Sequence, residues 1–261
     1  MSVGSANPPA RPLGIIAALS EEVRHLGNAL AVDDKIVRGS YSFRQGRLDD
    51  VPVVLVEAGI GKVNTALVAT LLLDHFSCRS LLLTGVAGGI DPGLGIGDVV
   101  IADRLIQHDY GAVIAGDIKP FRPGVAPIGE ARDRLGFDLA HDIRLRLQER
   151  LDGFTLPPLP AAVTGGAPRQ PTIRFGTILS GDQFINCETT RKRLFDRFQA
   201  QAVEMEGAAV AQVAAQFNAP CVVVRCLSDL AGGESHLDFP AFLAATAESA
   251  AQVLRRIVPA L

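Results

Sequence analysis

Tryptophan is absent from this 261-residue sequence, and aromatic residues of all kinds make up only 5% of it. A stacking platform for single-stranded nucleic acid needs aromatic faces spread along a groove, so that class of function is disfavoured. Charge of one sign is lacking too: the formal net charge is −3 and no block of Lys or Arg stands out. The electrostatic footprint of a nucleic-acid binder is therefore missing. No stretch is long and apolar enough to span a bilayer, so no membrane association is expected. Residues 1–12, rich in Pro, Ser, Gly and Asn, lack the apolar core of a signal peptide and read as a flexible tail. Cysteine is sparse. For Cys78, Cys187, Cys221 and Cys226 neither the spacing nor the nearby histidines suggest a zinc site. They are expected to be reduced thiols of a cytoplasmic protein, with no metal.

Against those absences, apolar residues make up 48% of the chain and charged residues 20%, an ordinary globular balance at a length that buries a substantial core. Leu13 to Ala18 is a short apolar strand running into Ser20-Glu21-Glu22-Val23, a helix start with Ser20 as its expected N-cap. Val51 to Glu57 is a second strand, followed by Ala58-Gly59-Ile60-Gly61 and a helix from about Lys62 to Phe76. Leu81 to Thr84 reads as a third, broken by Gly85-Val86-Ala87-Gly88-Gly89, and Val99 to Ala102 as a fourth. The stretch 111–171 holds half of the sixteen prolines and a charged amphipathic helix around Arg132 to Leu151. It reads as an insertion, a lid or subunit contact, within a single domain over 13–261. Regular structure resumes with Phe175 to Leu179, a helix from Glu206 to Phe217, a strand from Cys221 to Leu227 and a closing helix from about Phe239 to Ile257. Strand, glycine turn, helix, strand is the signature of α/β architecture.

In such folds ligands bind beyond the carboxyl ends of the strands, which directs attention to the acids placed there. Glu22 lies in a helix's first turn, where the macrodipole favours a carboxylate; plain helix-start electrostatics would explain it equally well. Glu204 and Glu206 share that ambiguity, and at least one is expected to be a solvated helix end. Asp229 has the stronger case, since Ser228-Asp229 ends a strand too apolar to be an edge ornament. The Gly93-x-Gly95-x-Gly97 run misses dinucleotide spacing and no phosphate-loop Lys-Ser/Thr follows any glycine cluster, so that run reads as a structural turn. His108-Asp109 and Ser235-His236 fit neither a nucleophile elbow nor a His-x3-His metal pair.

Seven segments, in order, resemble the nucleoside phosphorylase superfamily and specifically its 5′-methylthioadenosine/S-adenosylhomocysteine nucleosidase branch. They are Gly14 to Val23, Ala58 to Val63, Thr84 to Gly89, Gly97 to Val100, Ser180 to Ile185, Val203 to Glu206 and Ser228-Asp229. The resemblance implies a three-layer α/β/α sandwich around a mixed, partly closed sheet, a homodimer, and no cofactor. It implies a small-molecule nucleoside substrate cleaved to adenine and a 5′-thio-substituted ribose. Residue by residue, Glu22 matches the base on water and Asp229 the acid on adenine, assisted by Ser228. Met205 and Glu206 match the ribose contacts, Phe184 the ring stacked on the base, and the Ile185 backbone the reader of the adenine edge. Arg225 matches a water-positioning residue, while Ile60, Gly88 and Phe239 match pocket lining. Ile114, Phe121 and Pro123 are candidates for residues lent by a partner subunit. The family's glycine turn usually carries Ser or Thr where this chain has Val86, which offers no side-chain hydrogen bond.

The chemistry explains why such acids are needed. Breaking an N-glycosidic bond builds positive charge on the sugar and negative charge on the departing base, so one acid assists the base and a carboxylate activates water. An ordinary Asp is protonated about once per thousand molecules at neutral pH, a deficit of roughly 4 kcal/mol that burial would reduce. Glu22 is expected in the opposite environment, kept ionised by its helix start. A phosphorylase would need several cationic or backbone donors for a dianion, and the Gly85–Gly89 turn carries no Arg. Hydrolysis is favoured. The alternatives are a purine phosphorylase, a nucleosidase for another adenosine derivative of futalosine type, or a non-catalytic member of the fold.

Overall fold

Central parallel strands are covered on both faces, so they read as unbroken apolar runs, and this is how the sheet is built. The computed structural model describes residues 10–125, 135–160, 168–232 and 235–261, without the side chains of 235–241. Among these, strand β1 (Leu13–Ala17) is buried at every position, and β4 (Val51–Glu57), β5 (Ser80–Gly89) and β12 (Cys221–Asp229) are buried over most of their length. The remaining strands of the main sheet are β2 (Leu30–Arg38), β3 (Tyr41–Leu48), β6 (Val99–Gln107), β9 (Phe137–Asp138), β10 (Ile173–Ser180) and β11 (Ala202–Glu204). Their order is β11-β10-β6-β12-β5-β1-β4-β3-β2, with β9 attached to β6. Strand β11 also pairs antiparallel with β5, so five strands close into a ring while β1 to β4 extend as an open wing. Strands β7 (Gly111–Ile114) and β8 (Asp117–Pro120) form a separate hairpin.

Alternation along the strands sends side chains to two cores. Leu81 and Leu83 pack with α2 (Lys62–Asp74) and the Ala-rich helix Gly207–Gln216; Leu82 packs on the other side with α1 (Ser20–Ala29), α3 (His141–Leu151) and the helix Ser235–Ile257. Helix α2 buries Thr65, Val68, Ala69, Leu72 and Leu73, the spacing of one helical face. We label the remaining helices α4 (Glu188–Phe198), α5 (Gly207–Gln216) and α6 (Ser235–Ile257). The arrangement is the expected three-layer α/β sandwich with a mixed, partly closed sheet.

Several boundaries differ from the sequence reading. Strand β5 is not broken at Gly85 but continues through the glycine run to Gly89, because β12 and β11 supply partners along it. Ser20 is the first helical residue of α1 and Leu19 the N-cap, since the Glu22 carboxylate reaches back to take the Leu19 N–H. The charged helix expected from about Arg132 begins at His141; residues 126–134 lie outside the described residues. Arg11 and Pro12 are tied to the fold by hydrogen bonds to Ser77, Cys78 and Arg79, whereas residues 1–9 lie outside the described residues. Asp98 fastens the end of the Pro-rich stretch to the sheet: it accepts from Gly95 N–H, Thr172 N–H, Thr172 Oγ1 and Arg169 Nη2 at 2.6–2.9 Å.

Candidate active site

The third residue of α1, Glu22, turns back into the sheet rather than out to water. Its Oε2 accepts the N–H groups of Ala18 and Leu19 at 2.8 and 2.9 Å, and its Oε1 the N–H of Val86 at 3.0 Å. Val86 can approach because Gly85 precedes it with φ +150°, where a Cβ would collide with both the Glu22 carboxylate and the Arg225 guanidinium. This is the position where the glycine run is required. Arg225, on β12, is fully buried; its Nη2 donates to Glu206 Oε2 at 2.9 Å and to Glu204 Oε2, and its Nη1 to the Thr84 carbonyl. Glu206 precedes α5 with its carboxylate turned away from that helix, where Oε1 takes the Gly61 N–H at 2.8 Å.

Glu204 corrects the sequence reading. Neither it nor Glu206 is a solvated helix end; they are 5% and 4% exposed. Glu204 accepts the N–H groups of Glu206 and Gly207 and the hydroxyl of Ser180, whose oxygen in turn takes the Ala208 N–H at 2.7 Å. It takes the first N–H groups of α5 by direct hydrogen bonds while pinning Arg225. The i, i+2 spacing of two acids at an apolar strand end was the signal that could have identified it.

Asp229 ends β12 beyond a bulge and is 2% exposed, with Oδ1 accepting the Ala231 N–H at 2.8 Å and Oδ2 the Ser228 hydroxyl at 3.0 Å. Gly88 faces it; a Cβ there would stand 3.0 Å from Asp229 Oδ1. Glu22 and Asp229 open into one cavity of about 90 Å³, together with Ile60, Gly88, Phe184, Met205, Glu206, Arg225 and Ser228. Val86 and Glu204 also line it. Ile185 does not, although it is buried beside Phe184. The side chain of Phe239 lies outside the description, though its backbone belongs to α6. Two larger cavities, of about 280 and 350 Å³, lie elsewhere, and neither gathers a comparable set of acids. Chemistry, not size, marks the site.

Burial pushes the Glu22 carboxyl above its usual range, against the pull of Arg225 and its three backbone donors. The helix start alone, which the sequence reading relied on, does not decide this group. Glu206 is pushed up to about 7, by burial first and then by its neighbours Glu204 and Glu22, with Arg225 and Gly61 opposing. Arg225 is held above its ordinary value: burial works against its charge, but Glu204, Glu206 and Glu22 outweigh that. Among the described residues no group of three His, Cys, Asp or Glu side chains could hold a metal ion.

Comparison with known proteins gives a consistent result. The sequence pattern of the phosphorylase superfamily matches residues 12–259. A 5′-methylthioadenosine/S-adenosylhomocysteine nucleosidase of Mycobacterium bovis is 49% identical over 95% of this chain and 97% of its own. The structure of the corresponding Streptococcus pneumoniae nucleosidase with a transition-state inhibitor superimposes with a TM-score of 0.78 at 33% identity, covering 95% of this chain and 99% of its own. A futalosine hydrolase of Helicobacter pylori superimposes with a TM-score of 0.80 at 29% identity, covering 96% and 98%.

Proposed function

The chain belongs to the phosphorylase superfamily and, within it, to the 5′-methylthioadenosine/S-adenosylhomocysteine nucleosidases, and we propose how its residues hydrolyse the N-glycosidic bond of those nucleosides to adenine and the 5′-thio-substituted ribose. The observation that carries the reading is the opening of Glu22 and Asp229 into one cavity. Asp229 donates a proton to the departing purine, with Ser228 Oγ–H steadying its other oxygen. Glu22, poised by three backbone donors, takes a proton from the incoming water, and Arg225 helps position that water. Met205 and Glu206 hold the ribose hydroxyls, and the Glu206 charge favours the cationic sugar of the transition state. Phe184 stacks on adenine, the Ile185 backbone reads its edge, and Ile60 and Gly88 complete the described lining.

Hydrolysis rather than phosphorolysis is supported by the charge of the cavity. Arg225 is the one cation among its described lining residues, and it is already bonded to Glu204 and Glu206. A phosphate dianion would meet carboxylates there. A homodimer is supported by exposed apolar side chains: Ile60 just before α2, Val63 and Leu67 in its first turns, and Val113, Ile114 and Ile118 on the β7–β8 hairpin. The proposed substrates support a place in methionine salvage, which we propose to be cytoplasmic. No described helix is long and apolar enough to cross a membrane.

The test is adenine release from a panel of 5′-substituted adenosines and a futalosine-type nucleoside, with and without phosphate. Release from methylthioadenosine or S-adenosylhomocysteine without phosphate is expected. A strict phosphate requirement would establish phosphorolysis instead, and cleavage of the futalosine-type compound alone would move the substrate assignment.

A further inference from the structure

One charged cluster beside the cavity takes no part in the steps above. Lys62 is the first residue of α2, at the helix end where a cation is disfavoured. Its side chain is only 15% exposed and that of Asp109 16%, a withdrawal from water that lysine seldom shows without partners. Lys62 Nζ donates to Asp109 Oδ1 at 2.6 Å and lies 3.3 Å from Asp182 Oδ2. Backbone bonds complete the circuit: Lys62 N–H donates to Asp182 Oδ1 at 3.2 Å, and Asp182 N–H to Asp109 Oδ2 at 2.8 Å. Burial pushes the Asp109 carboxyl up, but Lys62 and the Asp182 N–H together hold it below its ordinary value.

The circuit joins three loops, those following β4, β6 and β10. Two of them supply the site directly. Gly61, the residue before Lys62, gives its N–H to Glu206, and Phe184 and Ile185 follow Asp182 by two and three residues. The third loop leads from Asp109 to Tyr110, whose ring meets Phe121 at 5.1 Å and so ties the circuit to the β7–β8 hairpin. A half-buried ion pair adds little net stability once desolvation is counted, so its contribution here is geometric.

We propose that Lys62, Asp109 and Asp182 form a positioning clamp that fixes the spacing between the ribose grip at Gly61–Glu206 and the adenine platform at Phe184–Ile185, acting through those residues without touching the nucleoside. The proposal rests on the nucleosidase reading and deepens it. The clamp sets where both groups sit as the nucleoside enters, and the Glu206 charge itself stays in place, so loosening the clamp weakens binding more than it slows chemistry.

Lys62→Met is therefore expected to raise KM for methylthioadenosine about tenfold with kcat within about threefold of the parent. Its Kd for adenine, measured by calorimetry, rises in step. Lys62→Arg, which keeps the charge, restores both. Adding Asp109→Asn to Lys62→Met costs less than about twofold more, because the pair acts as a unit. A lowered melting temperature with KM and adenine affinity unchanged would mean a merely structural pair and overturn the proposal, as would a fall in kcat with KM unchanged. If Lys62→Met fails to fold, Asp182→Asn serves in its place, and an unchanged adenine Kd overturns the proposal in the same way. Adenine binding is read without turnover. Parent protein that binds adenine but releases none from any nucleoside therefore refutes the reaction alone, whereas variants indistinguishable from parent refute the clamp alone.

Discussion

Asp98 and Glu206 are withdrawn from water almost equally, at 1% and 4% exposure, and each is bonded to an arginine, yet their surroundings move them in opposite directions. Asp98 has four donors, and its arginine bonds to no other carboxylate among the described residues. Burial pushes it up, but Arg169, Thr172 and Gly95 together hold it below the ordinary value. Around Arg225 one guanidinium serves Glu204 and Glu206 directly and Glu22 through space, and two of these acids are pushed up. The first cluster is balanced and the second is short of positive charge. Here the structural acid Asp98 is satisfied, while Glu22 and Glu206 are left under-compensated in a buried site, where proton affinity can be used.

The two clusters should also respond oppositely to pH. Asp98, lowered in the fold, stabilises the protein above about 3.8, its unfolded value, and that contribution is lost on acidification through its folded value. Glu206, raised in the fold, contributes fully below about 4.5, and its contribution is lost as pH rises through about 7.

Substitutions can sharpen this contrast or break it. The largest effect belongs to Asp229→Asn, expected to slow adenine release by about 10³-fold while leaving the melting temperature near the parent's. Near-parent turnover would remove Asp229 from its proposed role. Asp98→Ala should act the other way round. It leaves Arg169 without its carboxylate and lowers unfolding free energy by about 3 kcal/mol, measurable by denaturant titration. Glu206→Gln removes one of the competing charges, so at pH 8 the substrate-free protein should gain about 1–2 kcal/mol while KM rises. A loss of stability at pH 8 would contradict the charge shortage inferred for the cluster. Val86→Thr, which puts a hydroxyl into the cavity lining beside Glu22, should raise kcat by less than about fivefold, the worth of one hydrogen bond.

Legibility in the sequence followed burial. Strands β1, β4 and β12 and helix α2 were readable because their apolar runs or helical spacing record what covers them. The β2–β3 hairpin was not, since β2 is exposed at nearly every position and shows no face. Helix α4 buries only Leu194 of its eleven residues and leaves an equally faint trace. At the site, Glu22, Glu206 and Asp229 could be picked out as residues. The proton affinities of the first two could not, because they depend first on burial and then on the charge of Arg225, both of which are set only by folding. Glu204 was misjudged for the same reason: its burial comes from Ser180 and Arg225, distant in sequence.

Strand β12 carries Arg225, Ser228 and Asp229 and lies between β5 and β6 in the closed part of the sheet. A nucleoside seated there grips an interior rib of the molecule, not a peripheral flap. Occupancy should consequently register as slowed amide exchange deep in the sheet, and global unfolding and ligand release become one coupled event.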